Sequence, residues 1–450
     1  MTNLVATRPT TGGSAPEPTP VSPALLLGSV AALLVIAGIG VATGNGVYLL
    51  GVLGFVIALL VSVTLHEAGH FLTARRYGMK ATQFFVGFGP TLWSRRTGET
   101  EWGVKAIPAG GFVKIVGMTS LEEVEPGDEK RAFWRQPARQ RVVVLAAGST
   151  VHFILAVLLV LLSSFAIGKA VERAPSVGAL SECVPVAATA EASCDDPGAL
   201  PSPAKAAGLQ AGDVLVSVDG QPTKGYVQFL EQVRAAPGRA IDVVVERDGA
   251  ERTLTVTPAA VQRPSLREED VTETVGAIGV APRFRQGTER LGPVEAVQNS
   301  GEVGKQMLLG IKRTFTEKIP TITKVYSDER DREGFIGIVG ASRISGEVLA
   351  SQETLAFKTL NFLVLVAGLN LFVGIFNLLP LLPLDGGHIA VLLYEQARDK
   401  LKRLRGYTGE LVRVDLTKLL PLTYGVVVFF AAFTVWLLGA DIVNPIRITQ

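Results

Sequence analysis

Residues 47–70 read VYLLGVLGFVIALLVSVTLHEAGH, and the two parts of that stretch make opposite demands. Val47 to Leu65 carries no charged side chain, and at about 1.5 Å per residue a helix of that length crosses a hydrocarbon core of roughly 30 Å. His66-Glu67-Ala68-Gly69-His70 closes it. Residues four apart share a helix face, so His66 and His70 can aim imidazole nitrogens at one zinc ion while Glu67 reaches a water on that ion. The stretch predicts a membrane-spanning helix with hydrolytic chemistry at its end.

The rest of the chain fits a multi-pass α-helical membrane protein. Of 450 residues, 48% are hydrophobic and 19% charged, too apolar for an ordinary soluble protein. The formal net charge of +2 gives no case for a nucleic-acid partner. Uncharged runs recur at Ala24 to Ala42, Val142 to Ile167 (interrupted only by His152), Thr359 to Leu379 and Leu422 to Leu438. Five spans are expected, four of them a catalytic core. The first, 23–43, is read as a retained accessory, because its near N-terminal side lacks the basic flank of a signal peptide. Residues 1–22, rich in Thr, Pro, Gly and Ser, read as a disordered cytoplasmic tail. The expected divisions are 47–74 for the metal helix, 75–141 for a cytoplasmic loop, 142–168 for a span, 169–202 for an outer linker, 203–258 for a small domain and 259–354 for a connector. There follow 355–387 as a broken span, 388–418 as a basic cytoplasmic segment and 419–440 as the last span.

Basic residues set the orientation. Arg75, Arg76, Lys80, Arg95, Arg96, Lys105 and Lys114 crowd one loop, and Arg398, Lys400, Lys402, Arg403 and Arg405 another. Both are expected in the cytoplasm of a cell whose inner (plasma) membrane holds the chain, which places Lys169 to Gln352 outside. His70 then lies within roughly 10 Å of the cytoplasmic boundary. Cys183 and Cys194 fall outside, where thiols oxidise, and a disulfide is expected between them.

In the outer region, Gly212 to Gly220, a helix near Tyr226 to Arg234 and alternating strands at Ile241 to Arg247 and Glu251 to Thr257 follow an order that resembles a PDZ domain. Such a domain takes an extended peptide as an added strand; one tethered here can instead exclude bulky substrates. Glu295 to Glu317 reads as an amphipathic helix.

A catalytic zinc needs a third protein ligand. Asp385, in the Asn377-Leu-Leu-Pro-Leu-Leu-Pro-Leu-Asp-Gly-Gly387 segment, is an ionisable group where prolines break the fourth apolar run. Such a group costs about 2.5–3.5 kcal/mol at mid-bilayer, which a metal partner would offset. His388, three residues on, is the rival.

The His-Glu-x-x-His at 66–70, the Asn-x-x-Pro-x-x-x-x-Asp-Gly element from Asn377 to Gly386 and the Gly-Phe-Gly-Pro stretch from Gly87 to Pro90 resemble those of the site-two protease family of intramembrane zinc metalloproteases. The likeness runs from about Val47 to the end. It implies Zn²⁺ on His66, His70 and Asp385, Glu67 as general base, and Asn377, Gly87, Phe88 and Gly89 near substrate. Phe84 to Val116, with strand-like Phe84 to Gly87, Trp102 to Ala106 and Phe112 to Val116, is similar to the family's membrane-associated β element. The implied substrates are single-span membrane proteins, such as anti-sigma factors or leftover signal peptides, first trimmed by a site-one protease. Where the family commonly has Gly-Pro-x-x-Asn, this chain has Gly148-Ser-Thr-Val-His152. His152 there is open to packing, to contact with the metal site or to contact with substrate. Two other classes stay in view: a catalytically silent adaptor working through its outer domain, and an anchored protease that cuts soluble proteins.

Overall fold

The computed structural model describes residues 44–118, 124–186, 193–195, 198–266, 271–327, 330–331, 334–409 and 413–446. The expected tail and the Ala24 to Ala42 span lie outside them. The chain runs through α1 (Gly46–Arg76), β1 (Ala81–Thr97), β2 (Thr100–Ile115) and α2 (Ala138–Ala166). It continues with β3 (Lys169–Leu180), the short β4 (Cys183–Val184) and β5 (Leu200–Pro201), the single turn α3 (Pro203–Ala206), β6 (Val214–Val218), β7 (Gln221–Pro222) and α4 (Tyr226–Arg234). Strands β8 (Ile241–Arg247), β9 (Ala250–Val256), β10 (Ala259–Pro264), β11 (Thr272–Ala277) and β12 (Val280–Glu289) follow. The remainder is helical: α5 (Pro293–Thr316), α6 (Ile338–Ala350), α7 (Leu355–Asn377), α8 (Asp385–Leu404) and α9 (Leu420–Val443). The described residues form two compact units, one within 44–162, 297–351 and 361–446, the other within 163–296 and 352–360.

Helices at Gly46–Arg76, Ala138–Ala166, Leu355–Asn377 and Leu416–Val443, the bulk of which falls in the first unit, are the four, among the described residues, long and apolar enough to cross a membrane. Their burial is inverted relative to a water-soluble bundle. Leu50, Ile57, Leu158, Val428 and Phe429 lie exposed, whereas Ser62, Ser149, Asn370 and Asp441 are buried, as expected where lipid replaces water. Asp441 ties α9 to α6. Its Oδ2 accepts from the Gly337 and Gly340 N–H groups at 2.9 and 2.8 Å, and its Oδ1 accepts from Arg330 at 2.8 Å.

Strands β1 and β2 fold back on themselves. Ala81 to Val86 pairs with Gly111 to Ile115 on one side and with Glu101 to Val104 on the other, and Trp93 to Thr97 adds beyond the latter. The three short strands expected from sequence are parts of two long bent ones. Gly87 and Gly89, at φ +89° and +81°, form the bend, a conformation that a Cβ disfavours. The limb from Gly111 to Ile115 is an edge.

The second unit is built on a sheet ordered β12-β3-β6-β8-β9, with β7 added to β6. Val177, Leu215, Phe229, Val243 and Val256 fill its core. The limits 203–258 drawn from sequence are too narrow, since β3 and β12, assigned there to a linker and a connector, supply two strands of this sheet. Their register runs from Val280 opposite Leu180 to Glu289 opposite Lys169, a pairing so distant in sequence that no local pattern signals it. Cys183 and Cys194 are joined, with Cα atoms 5.6 Å apart.

Asp213, 1% exposed, accepts two hydrogen bonds from Arg247, at 2.6 and 2.7 Å. Burial pushes its pKa up, but the Arg247 bonds and the Gln210 N–H outweigh burial and hold the carboxyl below its ordinary value. A depressed folded value means that the stabilisation is present above the unfolded pKa of about 3.9 and is lost as pH falls through the folded one. Asp213→Asn is therefore expected to lower the thermal midpoint at pH 7, with the gap to wild type closing below about pH 4. Circular dichroism melts across that range check it.

Candidate metal centre

His66, Glu67 and His70 occupy the sixth and seventh turns from the start of a helix whose earlier residues carry no charge. Asp385 opens α8, directly after the Pro-containing break that ends α7. That break brings two distant segments together. His66 Nε2 and His70 Nε2 are 3.1 Å apart, and each lies 3.4 Å from Asp385 Oδ2. Bonds of about 2.0–2.1 Å around a tetrahedral ion imply ligand separations of roughly 3.3 Å. These three are also the group, among the described residues, whose ligand atoms converge for a metal.

Hydrogen bonding assigns the ligand atom of His70. His70 Nδ1 sits 2.7 Å from the Val144 carbonyl, which only accepts, so Nδ1 carries the proton and Nε2 keeps its lone pair. Asp385 Oδ2 is buried with no hydrogen-bond partner, an expensive state that a cation would relieve. Zinc thus fits the donor set. The helix crossing leaves little slack: a Cβ on Gly148 would lie 2.3 Å from His66 Cε1 and 2.6 Å from both ring nitrogens, and one on Gly69 would lie 2.9 Å from the Ala147 carbonyl oxygen.

Glu67 faces the edge limb of the β element, where its Oε2 accepts from the Val113 N–H at 3.0 Å. A carboxylate beside two imidazoles and a second carboxylate, with a strand edge at hand, can take and return a proton next to an aligned peptide.

A model of peptidase family M50 matches residues 54–412. The chain belongs to peptidase family M50. It is similar to the zinc metalloprotease Rip1 of Mycobacterium tuberculosis, 38% identical over 413 residues that cover 90% of this chain and 100% of that one. The Rip1 of Mycolicibacterium smegmatis is 37% identical over 414 residues, covering 89% and 99%. This M50 chain is a zinc metalloprotease, with Zn²⁺ as its cofactor.

The remaining sequence candidates are placed as follows in the M50 fold. Asn377 is the last residue of α7, half-buried. Phe88, between the two bend glycines, is 43% exposed and stacks on Phe112 at 6.1 Å. His388 does not join the cluster; it lines a cavity of about 380 Å³ with Arg141, Trp134, Glu395 and Arg413. His152 also stays out of the ligand set but stands close, its ring centroid 5.0 Å from that of His66. Sequence reasoning missed Asn370, which hydrogen-bonds His152 and Ser62. The available signal was an amide within an otherwise apolar span.

Proposed function

We propose that this M50 protease is an intramembrane endopeptidase that cuts transmembrane segments of single-span proteins, with zinc held by His66, His70 and Asp385. The convergence of those three ligand atoms, two of them on a helix long and apolar enough to cross a membrane and the third just after another, carries the proposal. When bound, zinc polarises the peptide carbonyl and acidifies the attacking water. Glu67 takes a proton from that water and returns it to the leaving amine. Asn377 stands at the end of α7 to hold the substrate main chain. The edge limb Gly111 to Ile115 offers main-chain hydrogen bonds to an unwound substrate, replacing those its helix loses. Phe88 and the bend at Gly87 and Gly89 flank that path.

The basic loops favour an inner-membrane location with the metal near the cytoplasm and the sheet unit outside. That unit is PDZ-like. Its edge strand β12 and the helix α4 approach each other through Phe284 and Tyr226, whose ring centroids are 5.0 Å apart, and a peptide added beside β12 would be selected there. Anti-sigma factors and remnant signal peptides, trimmed beforehand by a site-one protease, are the substrate classes that suit this layout. The complete set of Glu67 and three ligands argues against a silent adaptor.

Reconstitution into liposomes with a single-span reporter tests the proposal. Mass spectrometry should find cuts inside the apolar segment, abolished by a chelator and restored by zinc. Cuts confined to soluble loops would contradict it. Asp385→Ala is expected to bind zinc at least 10-fold more weakly, and loss of a ligand rather than of a partner to one makes the 10–100-fold range for outer-shell changes a lower guide.

A further inference from the structure

His152 is a buried polar group to which the reaction above gives no task. Its surroundings fix its chemistry. Asn370 Nδ2 donates to the Val366 carbonyl at 2.9 Å and to Ser62 Oγ at 3.1 Å. A carbonyl only accepts, so the amide nitrogen is pinned on that side and Asn370 Oδ1 faces His152 Nδ1, at 2.8 Å. Oδ1 likewise only accepts, so Nδ1 carries the proton and the neutral ring keeps its lone pair on Nε2. Nε2 makes no hydrogen bond among the described residues. Ser62, His152 and Asn370 are 5%, 2% and 1% exposed, and they come from α1, α2 and α7, so the ring is gripped by three helices while it lies 5.0 Å from His66.

Nε2 is not among the fully enclosed unpartnered atoms, so this edge of an otherwise buried ring is open to an incoming group, and an acceptor left unpaired where water is scarce is costly. The group that would satisfy it is supplied by a substrate. A transmembrane helix must open before it is cut, and each main-chain N–H freed in the opening needs an acceptor where bulk water is absent. We infer that His152 is a substrate-binding residue: its Nε2 accepts a hydrogen bond from a main-chain N–H of the opened substrate beside the bond to be cut, with Asn370 and Ser62 holding the ring in register. The inference rests on the endopeptidase proposal and adds a contact on the helical side of the site, away from the strand edge at Val113.

Binding, not turnover, tests it. A synthetic single-span peptide with a Gly-Ser centre, its cut site mapped with the wild-type chain, is titrated in micelles against the Glu67→Gln chain. Adding His152→Ala should weaken binding about tenfold, as loss of one hydrogen bond in a dry site does, with zinc content unchanged. His152→Gln, which returns an acceptor, should recover most of the loss. Peptides with a backbone ester at successive positions around the cut then locate the N–H. One ester should cost the His152-bearing chain about tenfold and cost His152→Ala nothing. Equal ester losses in both chains, unchanged binding in His152→Ala, or zinc lost from His152→Ala would each overturn the assignment. Zinc missing from the Glu67→Gln chain itself would count against the endopeptidase proposal instead, because His152 is not asked to hold the metal.

Discussion

Glutamine at position 67 is expected to give a folded, zinc-loaded chain that captures its substrate and leaves it whole. The change is nearly isosteric, and the amide oxygen can still accept from the Val113 N–H, which Glu67 Oε2 meets at 3.0 Å. What it removes is the ability to take a proton. General acid–base groups contribute roughly 10²–10⁴-fold, so single-turnover cleavage of a reporter should fall by about that factor. Zinc measured by mass spectrometry should stay at one per chain. Cleavage within a few-fold of wild type would exclude Glu67 as the base.

A single methyl group at Gly148 is expected to do comparable damage by a different route. Its Cβ would lie 2.3 Å from His66 Cε1, closer than such atoms come, and 2.6 Å from both ring nitrogens. The helix backbone carrying it is fixed by the crossing at Gly69 and Ala147, so the imidazole must move. A displaced ligand weakens zinc by more than the roughly 10–100-fold that follows from losing a ligand's outer partner. Gly148→Ala should therefore lose zinc and cleavage together. Gly425→Ala on α9, with nothing within 4 Å of its Cβ, should retain both. Zinc titrations on the two variants decide it, and wild-type affinity in Gly148→Ala would show that the two helices are not packed as described.

The parts of the site that sequence makes legible are those whose signal is local. His66, Glu67 and His70 announce themselves by spacing, and Asp385 by standing as a charge in an apolar run, where only a partner makes it affordable. The four described helices long and apolar enough to cross a membrane follow from the absence of charge over helical lengths. What stays hidden depends on contacts between distant residues. His152 meets Asn370 across 218 positions, and neither residue alone says which nitrogen the ring will offer. Gly148 acts through space that it leaves empty, so its role exists only once α1 has been laid against α2. The sheet unit is under-read for the same reason, because β3 and β12 become strands of one sheet by pairing across more than a hundred residues.

The zinc position itself tests the account most directly. Crystals of the detergent-purified chain, measured on both sides of the zinc absorption edge, should show one anomalous peak bonded at about 2.0–2.2 Å to His66 Nε2, His70 Nε2 and an Asp385 oxygen. A peak held by other side chains, with Asp385 out of bonding reach, would contradict it.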